Sequence, residues 1–197
     1  HGQMHSRVAR STLDPLTVTA WALEGQTPAD SALFISFDMV GVPEELAGIV
    51  RERLAKKISG LPADRIIMNA THTHTSLVLV DGLYDPPEAG VMTSAECLAW
   101  VAEIAVDAGA AAWETRKPGI VERAFGHAVV GHNRHAVYAD RHAEMYGSTN
   151  REDFAWIGGT EDHSLDMIFT WDQQGTLTGI ALAIPCPSQV DENLEQF

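Results

Sequence analysis

Cysteine is nearly absent from this chain: two residues, Cys97 and Cys186, in 197. That excludes a disulfide framework, and without a C-x-x-C pair it leaves thiol redox chemistry and thiolate-rich zinc sites unsupported. Positive charge is also scarce, with 13 Lys and Arg against 27 Asp and Glu and a formal net charge of −14. Such a chain lacks the clustered cations that grip nucleic acid irrespective of sequence or hold a protein to anionic lipid. Its acidic balance by itself signals solubility. No apolar run is long enough to span a bilayer, and no stretch has the pattern of a signal peptide. G-x-G-x-x-G, Walker and H-E-x-x-H motifs are missing too.

What is present is ordinary for a soluble globular chain: 45% hydrophobic and 20% charged residues,. The length suits one domain, 1–197, with a substantial core. The chain starts at His1-Gly2-Gln3 without a Met and ends at Phe197 just after Asp191-Glu192-Asn193-Leu194-Glu195, so it reads as part of a longer protein.

Residues 16–23 are rich in β-branched and aromatic residues and read as a strand. Residues 32–37 form a nearly continuous apolar run ending at Asp38, the pattern of a strand covered on both faces. Pro43 suits the first turn of a helix carrying Leu46, Ile49, Val50, Leu54 and Ile58 at helical spacing, with Gly60 as its stop. Residues 65–70 read as the next strand, giving a strand–helix–strand crossover. Residues 77–92 form a long loop. Thr93-Ser94-Ala95-Glu96 is a capping box, and the helix it opens has an Ala-rich stripe suited to close packing. Residues 120–130 read as a strand and 131–159 as irregular and polar. Residues 165–171 and 176–184 read as a hairpin around Asp172-Gln173-Gln174-Gly175. The fold class is therefore α/β or α+β: a mixed sheet with a βαβ crossover, a C-terminal hairpin and helices packed on the sheet.

The segment with the densest chemistry is Asn69-Ala70-Thr71-His72-Thr73-His74-Thr75-Ser76, at the end of a strand. In extended backbone, residues two apart share a face, so His72 and His74 are expected to look the same way. Neutral imidazole is the commonest protein ligand for metals. The pair is either the start of a metal site or a polar turn whose histidines bond to neighbours, since catalytic zinc wants three protein ligands. Asp38 and His72 each lie just past a strand end, where α/β units bind ligands. Asp38 taken alone is more simply a loop or helix-capping carboxylate.

A second segment, Gly131-His132-Asn133-Arg134-His135, follows another strand. Arg134 there can hold a carbonyl, carboxylate or phosphate oxygen, or pair with nearby acids in solvent. A third, Ile184-Pro185-Cys186-Pro187-Ser188-Gln189, is stiffened by its prolines. Cys186 is a candidate ligand or nucleophile, while Ser188 lacks a nucleophile elbow and reads as a turn residue. Asp162, His163 and Asp166 read as surface charges or as partners of a site.

In order, these segments resemble the neutral/alkaline ceramidase family, in its N-terminal catalytic domain. The family has a strand ending in Asp, matched by Phe37-Asp38, then a helix and a Thr-His-Thr-His-Ser motif, matched by Thr71-His72-Thr73-His74-Thr75. Its Asn-Arg motif and following Tyr are matched by Asn133-Arg134 and Tyr138. Its Asp before a hydrophobic strand and Gly turn is matched by Asp166-Met167-Ile168-Phe169 and Gly175. Gly2-Gln3 and Arg7 look like its opening segment. The resemblance spans nearly the whole chain, and the Thr-His-Thr-His motif is its specific part.

The resemblance implies a zinc-dependent amidase acting on a small-molecule or lipid amide, within sphingolipid metabolism, in a secreted or periplasmic protein. His72 would be a zinc ligand, His74 would lie beside the metal as a catalytic residue, and Arg134 would face the substrate carbonyl. Asp38 and Asn133 would line the same cleft. The family's Glu and Tyr ligands fall beyond Phe197, so this chain would carry an incomplete and inactive site. The chain also departs from the family. Thr75-Ser76-Leu77-Val78 stands where the family has Ser-Gly-Pro-Gly-Gly, and His135-Ala136 where it has Ser-Pro. Pro185-Cys186-Pro187-Ser188 stands where it has a ligand-bearing His-Gly-Thr-Ser, so either Cys186 replaces that His as a ligand, or the metal is bound differently, or it is lost. The alternatives are a homologue that binds lipid or glycan without turnover, and a metal hydrolase of another ester or amide.

Overall fold

The computed structural model describes residues 5–188 and residue 196. Gly2-Gln3, Gln189 and the acidic segment at 191–195 lie outside the described residues. The chain divides into two compact units, one formed by His1–Arg116 with Ser188–Phe197 and the other by Lys117–Pro187.

The first unit is built on a three-stranded mixed sheet, β1 (Val18–Leu23), β2 (Ala32–Phe37) and β3 (Ile66–Ala70), in the order β1-β2-β3. β1 runs antiparallel to β2, with Val18 opposite Phe37. β2 runs parallel to β3, with Leu33 opposite Ile66 and Phe37 opposite Ala70. A parallel pair needs a crossover, and α1 (Glu44–Lys57) supplies it,. Pro43 stands at its N-cap, Glu44 and Glu45 lie in its first turn and Lys56 and Lys57 in its last, which suits the helix dipole,. Gly60, just beyond, has φ 87°, where a side chain would be strained,.

Strand β2 differs from the two-face burial its composition suggests. Leu33, Ile35 and Phe37 are fully buried, while Ala32, Phe34 and Ser36 are half-exposed. Both helices sit on the Leu33 face. Phe34 on the other face meets Trp21 of β1, ring centroids 6.0 Å apart.

Helix α2 (Ser94–Glu114) starts with the capping box its sequence announces: Glu96 N–H donates to Thr93 Oγ1 at 3.3 Å, and Thr93 N–H to the Glu96 carboxylate at 2.8 Å. Its small-residue face allows close approach. A Cβ built at Gly109 would stand 3.1 Å from a Leu54 methyl of α1 and 3.2 Å from a Leu33 methyl of β2. The core joins Leu33, Ile35 and Phe37 to Leu46, Val50 and Leu54 of α1 and to Leu98, Val101, Ala102 and Ala105 of α2. Among the described residues no helix is long and apolar enough to cross a membrane.

The second unit contains two antiparallel sheets. β4 (Gly119–His127), β8 (Ser164–Asp172) and β9 (Leu177–Ala183) lie in the order β4-β8-β9. The β8–β9 hairpin turns where expected: Asp172 Oδ1 accepts from Gln174 N–H at 2.9 Å and Thr176 N–H at 2.8 Å, with Gly175 at φ 81°. The other sheet overturns the reading of residues 131–159 as irregular. It comprises β5 (His135–Tyr138), β6 (Ala143–Met145) and β7 (Phe154–Ile157), in the order β6-β5-β7. These strands are three or four residues long. They are too short for an alternation pattern to emerge from one sequence, and although β5 and β6 form a local hairpin, β7 joins β5 from farther along the chain, with Ala136 opposite Ile157.

Candidate functional site around His72 and His74

The parallel pairing of β2 and β3 brings two strand ends side by side. Thr71 N–H donates to Phe37 O at 3.0 Å, which extends the ladder one residue past β3. Asp38 follows β2 and braces the strand ends. Its Oδ2 accepts from Thr17 N–H at 2.9 Å and from Thr17 Oγ1 at 2.6 Å, and its Oδ1 accepts from Thr71 Oγ1 at 3.3 Å. Asp38 thus fixes the residue that launches the histidine pair.

His72 and His74 do converge, but not through the pleat of a strand. β3 ends at Ala70, and His72 has φ 62°, in the left-handed region. Polar residues such as His tolerate that region better than most, at a cost of about 1–2 kcal/mol, and such strain concentrates at functional sites. The turn swings the rings into an edge-to-face arrangement with centroids 4.9 Å apart at 71°. The two Nε2 atoms are 3.3 Å apart.

The hydrogen bonds fix which nitrogen is which. His72 Nδ1 lies 2.6 Å from Val40 O. A carbonyl only accepts, so Nδ1 carries the proton and the neutral ring presents its Nε2 lone pair toward His74. A backbone carbonyl orienting an imidazole in this way is the usual support behind a metal-bound histidine. Arg7 Nη2 donates to His74 O at 3.0 Å, and Ser188 N–H to Thr71 O at 3.2 Å, which anchors both ends of the segment. Thr73 and Thr75 hydroxyls pair at 3.0 Å.

Two nitrogens each about 2.0–2.1 Å from one tetrahedral ion are about 3.3–3.4 Å apart. The observed 3.3 Å fits zinc at two positions of such a site. It equally fits a single N–H···N bond from His74 to His72. Among the described residues, no group of three or more His, Cys, Asp or Glu side chains is arranged to hold a metal ion.

Asn133, Arg134 and Cys186 belong to the second unit. Asn133 is heavily bonded: its N–H donates to Glu161 Oε1 at 2.7 Å, its Oδ1 accepts from His135 N–H at 3.0 Å, and its Nδ2 donates to Gly158 O. The Asn133 amide, followed by His163, holds the Glu161 carboxyl below its usual range. Arg134 donates to Tyr146 Oη and stacks on that ring, with Cζ 4.6 Å from its centroid. An aromatic is therefore among its partners. Cys186 is half-buried, its Sγ 3.6 Å from Pro187 O. The backbone beside it packs so tightly that a Cβ on Gly131 would stand 2.6 Å from Pro185 O. Asp166 pairs with Arg123 at 2.9 Å and His163 with Glu161 at 2.9 Å, as surface charges do.

The Val40 carbonyl and Tyr146 were invisible to sequence reasoning. A backbone oxygen has no sequence signature, and Tyr146 meets Arg134 only because β6 folds back on β5.

No family model matches this chain, and no curated protein matches it. Solved structures do. The chain is similar to the neutral ceramidase of Pseudomonas aeruginosa, at 17% identity and a TM-score of 0.54, over 82% of this chain and 24% of that one. It is also similar to a ceramidase described as complexed with C2, at 16% identity and a TM-score of 0.57, over 92% of this chain and 29% of that one. The chain therefore spans less than a third of the length of these ceramidase structures and has the fold of that portion of them.

Proposed function

We propose that this chain is the N-terminal part of the catalytic domain of a zinc-dependent hydrolase that cleaves the amide bond of a lipid-like substrate. The observation that carries the reading is the convergence of His72 Nε2 and His74 Nε2 at 3.3 Å, with the His72 tautomer set by Val40 O. The shared fold with ceramidases supports the substrate class. Zinc, when bound, supplies a Lewis acid that polarises a carbonyl and lowers the pKa of water toward ~7.

The protein's own groups do the rest. His72 offers its Nε2 lone pair as a ligand, held in place by the Nδ1–H···O bond. His74 takes up and returns a proton at Nε2. The resemblance to the family's Asn-Arg motif gives Arg134 the role of stabilising the developing oxyanion, Asn133 fixes the backbone that carries Arg134, and the same resemblance gives Cys186 a ligand position. Catalytic zinc needs three protein ligands, so the 197-residue chain by itself is assigned weak zinc binding and no turnover.

The test is hydrolysis of a fatty-acyl amide by the longest natural polypeptide that contains this chain. Activity should fall with a chelator, return with zinc, and drop by at least about a hundredfold in His74→Ala and Arg134→Ala. Hydrolysis by the 197-residue chain alone would show that the site is not incomplete. A second reading, lipid or glycan binding without turnover, is favoured by the way these groups engage one another: His74 with His72, and Arg134 with Tyr146. Ligand binding that persists while the longest polypeptide stays inactive with zinc would select it.

A further inference from the structure

The short sheet of the second unit carries a charged cluster that the proposed activity leaves unused. His142 lies between two carboxylates. Its Nδ1 is 2.5 Å from Asp140 Oδ1 and its Nε2 is 3.1 Å from Glu144 Oε1. Ionised carboxylates only accept, and a neutral imidazole has one N–H. Both contacts are therefore satisfied together only by the imidazolium.

The ring also stacks on Tyr138 of β5, centroids 4.6 Å apart at 22°. Tyr138 is fully buried, and its β5 neighbours Ala136 and Val137 are buried too. Arg151 lies over the same ring at 4.0 Å, with Nη1 3.4 Å from Glu144 Oε1 and Nη2 2.6 Å from Asp153 Oδ2. The Tyr138 hydroxyl sits 3.5 Å from Glu144 Oε2 and 3.2 Å from Ser148 O. His142 thus faces Asp140 on its own turn, Glu144 on β6 and Tyr138 on β5. Arg151 and Asp153 complete the cluster from the segment before β7.

Strand β6 has three residues. His142 precedes it, and its carbonyl accepts from Tyr138 N–H at 3.1 Å. Tyr146 follows it, and its N–H donates to Arg134 O at 2.8 Å. So short a strand has little pairing of its own to resist fraying.

We propose that His142 is a proton-operated clasp on β6. Protonated, it joins Asp140 to Glu144 beside Tyr138 and keeps the strand, with Tyr146 at its end, on β5. Deprotonated, it keeps one carboxylate, releases the other and loosens the strand. The two carboxylates, Asp140 first, raise the His142 pKa above its ordinary value, and the same contact holds the Asp140 carboxyl below its own. A raised pKa means that the added stability is full below the ordinary histidine value, about 6.5. It is lost as pH rises through the folded midpoint. At the acid end it fades as the carboxylates protonate. This device rests on the geometry of the second unit and is independent of any hydrolase activity.

The experiment is an NMR pH titration of the histidine rings in the intact chain, with amide exchange of β6 followed across the same range. The His142 midpoint should lie above the mean of the other histidines and fall in Glu144→Gln and in Asp140→Asn. After correction for the intrinsic pH dependence, exchange at 143–146 should rise about two- to fivefold through that midpoint, the range expected of an exposed ion pair. The step should vanish in His142→Gln. A midpoint at or below that mean, or β6 exchange without a step there, overturns the clasp. If His142→Gln fails to fold, the two carboxylate variants decide by the same criteria.

Discussion

Removing the Asp38 carboxylate should destabilise the first unit and loosen the histidine pair together. Asp38 accepts three hydrogen bonds, two from Thr17 and one from Thr71. A bond to a charged acceptor is worth about 1.5–3 kcal/mol when well formed and sheltered. Asp38 is half-exposed and the Thr71 contact is long at 3.3 Å. About 1 kcal/mol for each Thr17 bond and half that for Thr71 is the appropriate scale, giving about 2–3 kcal/mol for Asp38→Ala. Asp38→Asn keeps one acceptor oxygen and should cost about 1–1.5 kcal/mol. The assay is urea unfolding, combined with amide exchange at Thr17 and Thr71. Both amides should lose protection, while those of β8 and β9 in the other unit stay unchanged. A loss below about 0.5 kcal/mol, or loss spread evenly over both units, would refute the assignment of Asp38 as the brace of these strand ends.

Other perturbations test the local geometry. His72→Gly should be more stable than His72→Ala by about 1 kcal/mol, because both lose the ring and only glycine accepts φ 62° without strain,. Equal stabilities by chemical denaturation would remove the left-handed turn from the account. Gly109→Ala should cost about 1 kcal/mol, as crowding against Leu54 and Leu33 outweighs the gain in helix propensity,. Gly48→Ala in α1, where nothing lies within 4 Å of the added Cβ, should gain about 0.5–1 kcal/mol in the same assay,.

The first unit was largely legible in the sequence. Residues 32–37 carry an unbroken apolar signal and became β2 with the same bounds, and Thr93 and Glu96 marked the start of α2 through side-chain chemistry that is local in sequence. The crossover and the C-terminal hairpin followed from such local signals. The sheet of β5, β6 and β7 did not, because its strands hold together through contacts from Arg134 to Gly158 that no short window contains. At the candidate site, the spacing of His72 and His74 predicted that they would look the same way from an extended segment, and the rings instead meet edge to face. The reason given, a two-residue strand period, was not the cause. The backbone leaves the sheet at Thr71, and a left-handed turn at His72 with a bond to Val40 O brings the rings together. A backbone dihedral and a carbonyl partner leave no mark on residue identity.

The most direct measurement is ¹⁵N NMR of the histidine rings in the 197-residue chain as zinc is added. The account predicts that His72 carries its proton on Nδ1 before zinc, that zinc moves the His72 Nε2 resonance while the Nδ1–H to Val40 survives, and that His72→Ala abolishes the effect. Zinc binding at full strength in His72→Ala, or a shift at His72 Nδ1 in place of Nε2, would contradict it.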